Sequence, residues 1–367
     1  MSRTSRIVVA VAAAVLVMAA ALTLVVRARG TEEAVAPRTP TSGATGTAGS
    51  TGGSTPAGTT GEPSTTGAPT SGPTTGPTTG ASPTTPPAGR PPVGNSPPGG
   101  AAAGAVKGRL ASVRTWAFPL GADLDAGDAA VARSLAGYDL VVIDGPEASP
   151  SLVAALKAQG SIVLGYISVG TIEEGRSWTA AAQPYLLDHW EQWDETYADT
   201  SQAGYRDLIA GTVAPPILDK GFDGLFLDNV DMVDTHPAQQ AGMVELVRRL
   251  GDLAHQRGGV LFTQNGDSSV DAFAPYLDGW NREDVSSTFD PETEAYAGRS
   301  NGERAEAVAT IGRLRARGLL VTAVDYTADS AGTVAGDAVR TACAAGAVPY
   351  VSDIGLTRIP ASPPRCG

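Results

Sequence analysis

The sequence predicts an α/β fold, a (β/α)8 TIM barrel preceded by an N-terminal membrane segment and a disordered linker. Three observations predict it. Residues 106–367 contain eight short, β-branched apolar runs, most of them ending on a polar residue. Stretches of helical periodicity lie between these runs, and that alternation is the signature of a parallel sheet. Eight such units in about 260 residues match the usual size of this barrel, whereas a doubly wound sheet more often has five to seven strands.

In chain order the predicted strands are Arg114–Pro119, Leu140–Asp144, Ile162–Ser168, Gly224–Asp228, Val260–Gln264, Gly279–Glu283, Leu320–Asp325 and Pro349–Asp353. Predicted helices fill the connections at Asp128–Ala136, Ser149–Gln159, Tyr205–Lys220, Pro237–Arg257, Ser300–Arg317 and Ala331–Ala345. The connection from Val169 to Phe222 is too long for one helix. It holds Trp178, Trp190 and Trp193, three of the five tryptophans, together with Tyr185 and Tyr197. Long barrel loops rich in aromatics build binding clefts, although any one of these rings reads equally as part of a small satellite core.

Upstream, Arg3 and Arg6 precede an uncharged aliphatic run from Ile7 to Val26, followed by Arg27 and Arg29. Roughly 20 such residues span about 30 Å as a helix, so residues 1–30 read as an uncleaved signal anchor. The alternative is a long signal peptide ending near Ala34-Val35-Ala36. Residues 31–105 are Thr, Ser, Gly, Pro and Ala with almost no large apolar side chain. Such a segment cannot bury enough surface to offset its ordering entropy and reads as a disordered spacer. The expected location is extracytoplasmic, either membrane-anchored or secreted.

Charge is distributed unevenly. Residues 1–105 carry 6 of the 26 Lys+Arg and 3 of the 38 Asp+Glu, leaving 20 and 35, a net −15, on the remainder. An acidic domain repels nucleic acid and anionic glycans and concentrates cationic ligands, though an acidic surface also serves solubility alone. Outside the cytoplasm the two cysteines, Cys343 and Cys366, are able to pair. The partners expected are a polysaccharide substrate and, through the N-terminal segment, a membrane; no nucleic acid is expected, and the domain is read as a monomer.

Side chains at the C-terminal ends of barrel strands converge on the face where active sites are built. Here those ends carry Asp144, Ser168, Asp228, Gln264 with Asn265, Glu283, Asp325 and Asp353. Asp144, Asp325 and Asp353 read equally as caps that accept backbone N–H groups. The histidines His189, His236 and His255 have no paired ligand spacing, so no transition metal is expected. Asp228, Asn229 and Asp231 leave an oxygen-only cation site as a minor alternative. No Gly-x-Ser-x-Gly elbow and no phosphate loop occurs, and no cofactor is expected. What remains is paired-carboxylate chemistry, the requirement for cleaving a glycosidic bond.

The runs VLGYISVG (163–170) and GFDGLFLDNVD (221–231), with Arg282-Glu283-Asp284, resemble glycoside hydrolase family 114 across residues 112–360. The resemblance implies retaining hydrolysis of an α-1,4-linked, galactosamine-rich polysaccharide. It puts an Asp nucleophile after strand four and a Glu acid/base after strand six, and those positions fall on Asp228 and Glu283. Candidate contacts to amino groups of the substrate are Asp144, Asp231 and Asp325. Tyr166, Asn229 and Asn265 are expected to orient the sugar, with Trp116, Ser168 and Tyr326 also lining the cleft. The first strand departs from the family pattern, since Trp116 is followed by apolar Ala117-Phe118-Pro119-Leu120. Two other readings stand beside this one: a glycan-binding barrel without turnover, and a hydrolase of a different surface polysaccharide.

Overall fold

The computed structural model describes residues 99–122, 127–191, 194–290 and 293–367; the predicted membrane segment, most of the predicted linker and Trp193 lie outside the described residues. Eight parallel strands form one sheet in chain order: β1 Trp116–Ala117, β2 Leu140–Asp144, β3 Ile162–Ser168, β4 Gly224–Asp228, β5 Val260–Gln264, β6 Gly279–Glu283, β7 Leu320–Tyr326 and β8 Val348–Ser352. The sheet curls into a nearly closed, TIM-like barrel, and the Trp116 ring on β1 lies 5.7 Å from Tyr350 on β8. β1 is shorter than its apolar run because Pro119 has no N–H for a ladder bond.

Apart from three four-residue turns of helix, at Thr179–Ala182, Met232–Thr235 and Val270–Phe273, the α-helices among the described residues are α1 Gly99–Leu110, α2 Asp128–Ser134, α3 Pro150–Ala158, α4 Ala203–Leu208, α5 Ala214–Asp219, α6 Gln240–Gln256, α7 Asn301–Ala316 and α8 Thr333–Ala345. Ser149 caps α3 by accepting from Leu152 N, with Pro150 at the first helical position, where its missing N–H costs nothing. The single helix predicted over Tyr205–Lys220 is divided, with a π-turn at Ile209–Val213 between α4 and α5. Pro215 and Pro216 supply the reason: neither donates a ladder hydrogen bond, so the preceding turn widens.

At the N-terminal end of the barrel one device recurs three times. Asp139, Asp223 and Asp278 each precede an even-numbered strand and accept N–H groups at or just before the start of the strand that comes earlier in the chain. Asp139 takes Arg114 N and Thr115 N at 2.8 and 3.1 Å, Asp223 takes Val163 N at 3.0 Å, and Asp278 takes Leu261 N at 3.0 Å. Lys157 and Lys107 neutralise the second and third of these acids. Such charge-assisted bonds are about twice as strong as neutral ones and lock the strand register. Inside the barrel Phe118 packs on Tyr166 and Phe226, with ring centroids 6.0 and 5.0 Å away. Burying each such ring contributes about 1.5–3 kcal/mol and gives the strand ends a rigid floor.

The β3 to β4 connection carries a three-stranded antiparallel sheet of Thr171–Ile172, Glu195–Ala198 and Leu186–Trp190, in that spatial order. It sits tightly on the barrel, because a Cβ at Gly170 would lie 1.8 Å from the Asn229 carbonyl oxygen. A second hairpin, Ser287–Asp290 with Ala295–Gly298, follows β6. Cys343 on α8 and Cys366 form a disulfide that ties the C-terminal tail to the barrel. Among the described residues no helix is long and apolar enough to cross a membrane.

Candidate active site

Asp228 ends β4, Gln264 ends β5 and Glu283 ends β6, on three adjacent strands of one sheet. Neighbouring strands lie about 4.8 Å apart, so the two acids are carried on strands about 10 Å apart with an amide between them. Each of these strand ends is followed by a residue in the left-handed region: Asn229 at φ 57°, Asn265 at φ 53° and Asp284 at φ 55°. Asn and Asp tolerate that conformation better than other non-glycine residues. The repeat turns the chain sharply away and leaves the preceding side chain at the mouth of the barrel.

Asp228 accepts three hydrogen bonds. Tyr166 OH donates to Oδ2 at 2.7 Å, while Asn229 N and Gln264 Nε2 donate to Oδ1 at 2.7 and 3.0 Å. Burial pushes its pKa up, and these three donors oppose that shift. Glu283 accepts from Asn265 Nδ2 at 2.7 Å on Oε2 and from Tyr326 OH on Oε1. Burial, followed by the charge of Asp228, pushes Glu283 up to about 7 from the ordinary 4.5. The charge of Asp228 thus reaches Glu283 and opposes its ionisation.

Asn265 is fixed on both sides. Its Oδ1 accepts from Glu283 N at 3.1 Å and Arg282 Nη1 at 3.2 Å, and its backbone carbonyl accepts from Trp280 Nε1 at 2.7 Å. Ser168 faces the loop: its hydroxyl lies 2.6 Å from Thr171 Oγ1, and Asn229 Nδ2 donates to it at 2.9 Å. Asp231 is half-buried, and burial with the charges of Asp228, Asp234 and Glu283 pushes it well above the carboxylate range.

Other predicted site residues are engaged elsewhere. Asp144 receives both Arg176 Nη1 at 3.2 Å and Nη2 at 2.7 Å, and caps the following loop through Glu147 N at 2.7 Å. Oδ1 of Asp325 accepts from Ser286 N at 2.7 Å and Ser287 N at 2.8 Å, holding the loop after β6. Trp116 is fully buried with Nε1 donating to Ala323 O at 3.2 Å, so it packs the barrel interior and presents no face to solvent. Of the insertion aromatics, Trp190 stacks on Tyr197 with centroids 5.0 Å apart, and the Arg176 guanidinium lies 5.8 Å from the Trp178 ring.

Three residues absent from the sequence reading join the cluster. Arg176 bridges Asp144 and Glu173, with 2.8 Å to Glu173 Oε1. Glu173 and Glu195 come from the inserted sheet, and burial raises both, Glu195 to about 8, with the charge of Glu173 the next cause there. The charge of Asp228 raises each further. No signal in the sequence singles them out, since their placement depends on how the insertion folds back. Among the described residues no group of three or more His, Cys, Asp or Glu is arranged to hold a metal ion.

Comparison with known proteins bears on the fold and the family. An uncharacterized protein of Deinococcus radiodurans is 27% identical over 247 residues, covering 60% of this chain and 75% of that protein. The structure of the glycoside hydrolase domain of PelA from Pseudomonas aeruginosa superposes with a TM-score of 0.57 at 21% identity, covering 67% of this chain and 96% of that one. Aspergillus fumigatus Ega3, crystallised in complex with galactosamine, gives 0.51 at 20% identity, covering 66% and 92%. These two structural likenesses bear on the fold. The family follows from the sequence profile, which matches residues 99–362, and on that match the chain belongs to glycoside-hydrolase family GH114 and is a glycoside hydrolase.

Proposed function

We propose that this chain is a retaining hydrolase of α-1,4-linked, galactosamine-rich polysaccharide, with Asp228 as nucleophile and Glu283 as acid/base. The observation that carries the proposal is the unlike treatment of two acids at neighbouring strand ends. Burial raises both acids, but Asp228 is met by three donors that oppose that push, whereas Glu283 has two and is raised also by the charge of Asp228, to about 7, as a proton donor requires. In the first step an Asp228 oxygen bonds the anomeric carbon as the glycosidic C–O bond breaks, and the Glu283 proton goes to the leaving oxygen. In the second, Glu283 takes a proton from water, the water oxygen bonds the anomeric carbon, and Asp228 leaves as carboxylate.

Crowding of like charge supports a cationic substrate. Beyond burial, the charge of Asp228 raises the pKa of Glu283, Asp231, Glu173 and Glu195, with Arg282 acting against the shift at Glu283 and Arg176 against those at Glu173 and Glu195. An ammonium group on the sugar would relieve that repulsion, as a protein cation would. Ega3 in complex with galactosamine supports the same sugar class. Operation outside the cytoplasm, tethered or secreted, is supported by the Cys343–Cys366 disulfide.

The test is incubation of the purified chain with deacetylated and fully acetylated α-1,4-galactosaminoglycan, followed by a reducing-end assay. New ends from the deacetylated polymer, lost in Asp228→Asn, are expected. Tight retention of polymer without new ends would instead identify a glycan-binding barrel.

A further inference from the structure

Behind the cleft a buried ladder of side chains crosses the sheet laterally. Thr322 on β7 is in register with Asn281 on β6, and Asn281 with Gln264 on β5. Thr322 and Asn281 are fully buried and Gln264 nearly so. The hydrogen bonds run one way: Thr322 Oγ1 donates to Asn281 Oδ1 at 2.9 Å, Asn281 Nδ2 to Gln264 Oε1 at 2.9 Å, and Gln264 Nε2 to Asp228 Oδ1 at 3.0 Å.

Each amide has one donor end and one acceptor end, so its orientation fixes the next. A Gln264 side chain without the Asn281 donor would be free to turn and present Oε1 to the Asp228 carboxylate, placing acceptor against acceptor. With Asn281 in place that turn would also set Gln264 Nε2 against Asn281 Nδ2, donor against donor. The ladder therefore makes the productive orientation the one in which every member is satisfied, and partial loss of such a network is costly in a dry interior.

We propose that Asn281 and Thr322, two side chains buried behind the cleft, are positioning residues that hold the Gln264 amide with its Nε2 donating to Asp228. The importance of that bond for turnover rests on the reading of Asp228 as nucleophile; the bond itself does not. A donor to an ionised carboxylate favours the ionised form, so losing it moves Asp228 toward protonation. A residue that merely filled space in the core would alter thermal stability and leave the Asp228 titration where it was.

The experiment is a 13C NMR titration of the side-chain carboxyls in the full-length chain labelled at aspartate, with Asp228→Asn used to assign the Asp228 resonance. In Gln264→Leu and Asn281→Leu the Asp228 pKa is expected to rise by about one unit. In the double variant the rise should equal that of Gln264→Leu alone, because Asn281 acts through Gln264. Thr322→Val, which keeps the shape of the site, should shift Asp228 the same way by less, and decides the matter should Asn281→Leu fail to fold. An unmoved Asp228 in Thr322→Val and Asn281→Leu, or additive shifts in the double variant, would overturn the proposal. The titration reads Asp228 whether or not the chain cleaves galactosaminoglycan, so failure here and failure of the proposed reaction are distinguishable.

Discussion

Asn265 Nδ2 lies 2.7 Å from Glu283 Oε2, a donor at the end of one strand serving the acid at the end of the next. That bond pulls the Glu283 pKa down against burial and the charge of Asp228. Asn265→Gly keeps the left-handed backbone at φ 53° and deletes the amide. Glu283 should then titrate above its present value, and the alkaline limb of kcat/KM on deacetylated galactosaminoglycan should move up by about one pH unit. A pH–rate profile of the two proteins checks this, and an unmoved limb contradicts it.

Replacing the acid itself separates activity from stability. Glu283→Gln should lower kcat about 10²–10⁴-fold, the usual contribution of a positioned proton donor. Stability should respond in the opposite sense. The folded chain holds the Glu283 proton up to about 7, whereas the unfolded chain releases it near 4.5. The stabilisation from the protonated carboxyl is therefore full below about 4.5 and lost as pH rises through about 7. Thermal melts should find Glu283→Gln more stable than wild type at pH 8, on the order of 1–3 kcal/mol, and equal to it at pH 4.5.

Arg176 is the cation that holds the inserted sheet to the barrel, joining Asp144 at 2.7 Å and Glu173 at 2.8 Å while itself only 9% exposed. Removing one member of a buried charge group leaves the others uncompensated, a cost of about 3–5 kcal/mol. Arg176→Ala should lose that much in chemical denaturation. A loss below about 1 kcal/mol, the value of an exposed pair, would show that the group is solvated.

The Cys343–Cys366 disulfide, with a sequence separation of 23, constrains the unfolded chain around β8. A loop of that length is worth about 3 kcal/mol in the chain-entropy account. The paired Cys343→Ser, Cys366→Ser variant should melt on the order of 5–10 °C lower, and added reductant should bring the wild-type protein to the same value. Equal melting with and without reductant would contradict it.

The barrel was legible because its signal is local. Apolar runs such as Ile162–Ser168 and Gly224–Asp228 occupy the strands they predict, whereas β7 and β8 have ends displaced by one residue and β1 keeps only the middle two residues of Arg114–Pro119. The strand-end positions of Asp228 and Glu283 were legible for the same reason, the first as a carboxylate closing a dry strand and the second as an acid closing the sixth repeat of the pattern. The roles of Asp144 and Asp325 were not: cap and cleft lining share one residue type and position, and the choice depends on partners such as Arg176 and Ser286 that arrive from remote loops. Trp116 illustrates the converse, because an aromatic beginning β1 belongs as well to the barrel interior as to its mouth. The division of α4 from α5 was foreshadowed by Pro215 and Pro216, whereas α1 grows from an Ala/Gly-rich stretch with no amphipathic pattern to announce it.

Whether Asp228 and Glu283 act on opposite sides of one α-glycosidic linkage is read from the anomeric proton signals of the first product released from a deacetylated α-1,4-galactosamine oligomer, in wild type, Asp228→Asn and Glu283→Gln. Wild type should first release the α-anomer, which then mutarotates, and neither folded variant should release product at a comparable rate. First release of the β-anomer, or undiminished release by Asp228→Asn, would contradict it.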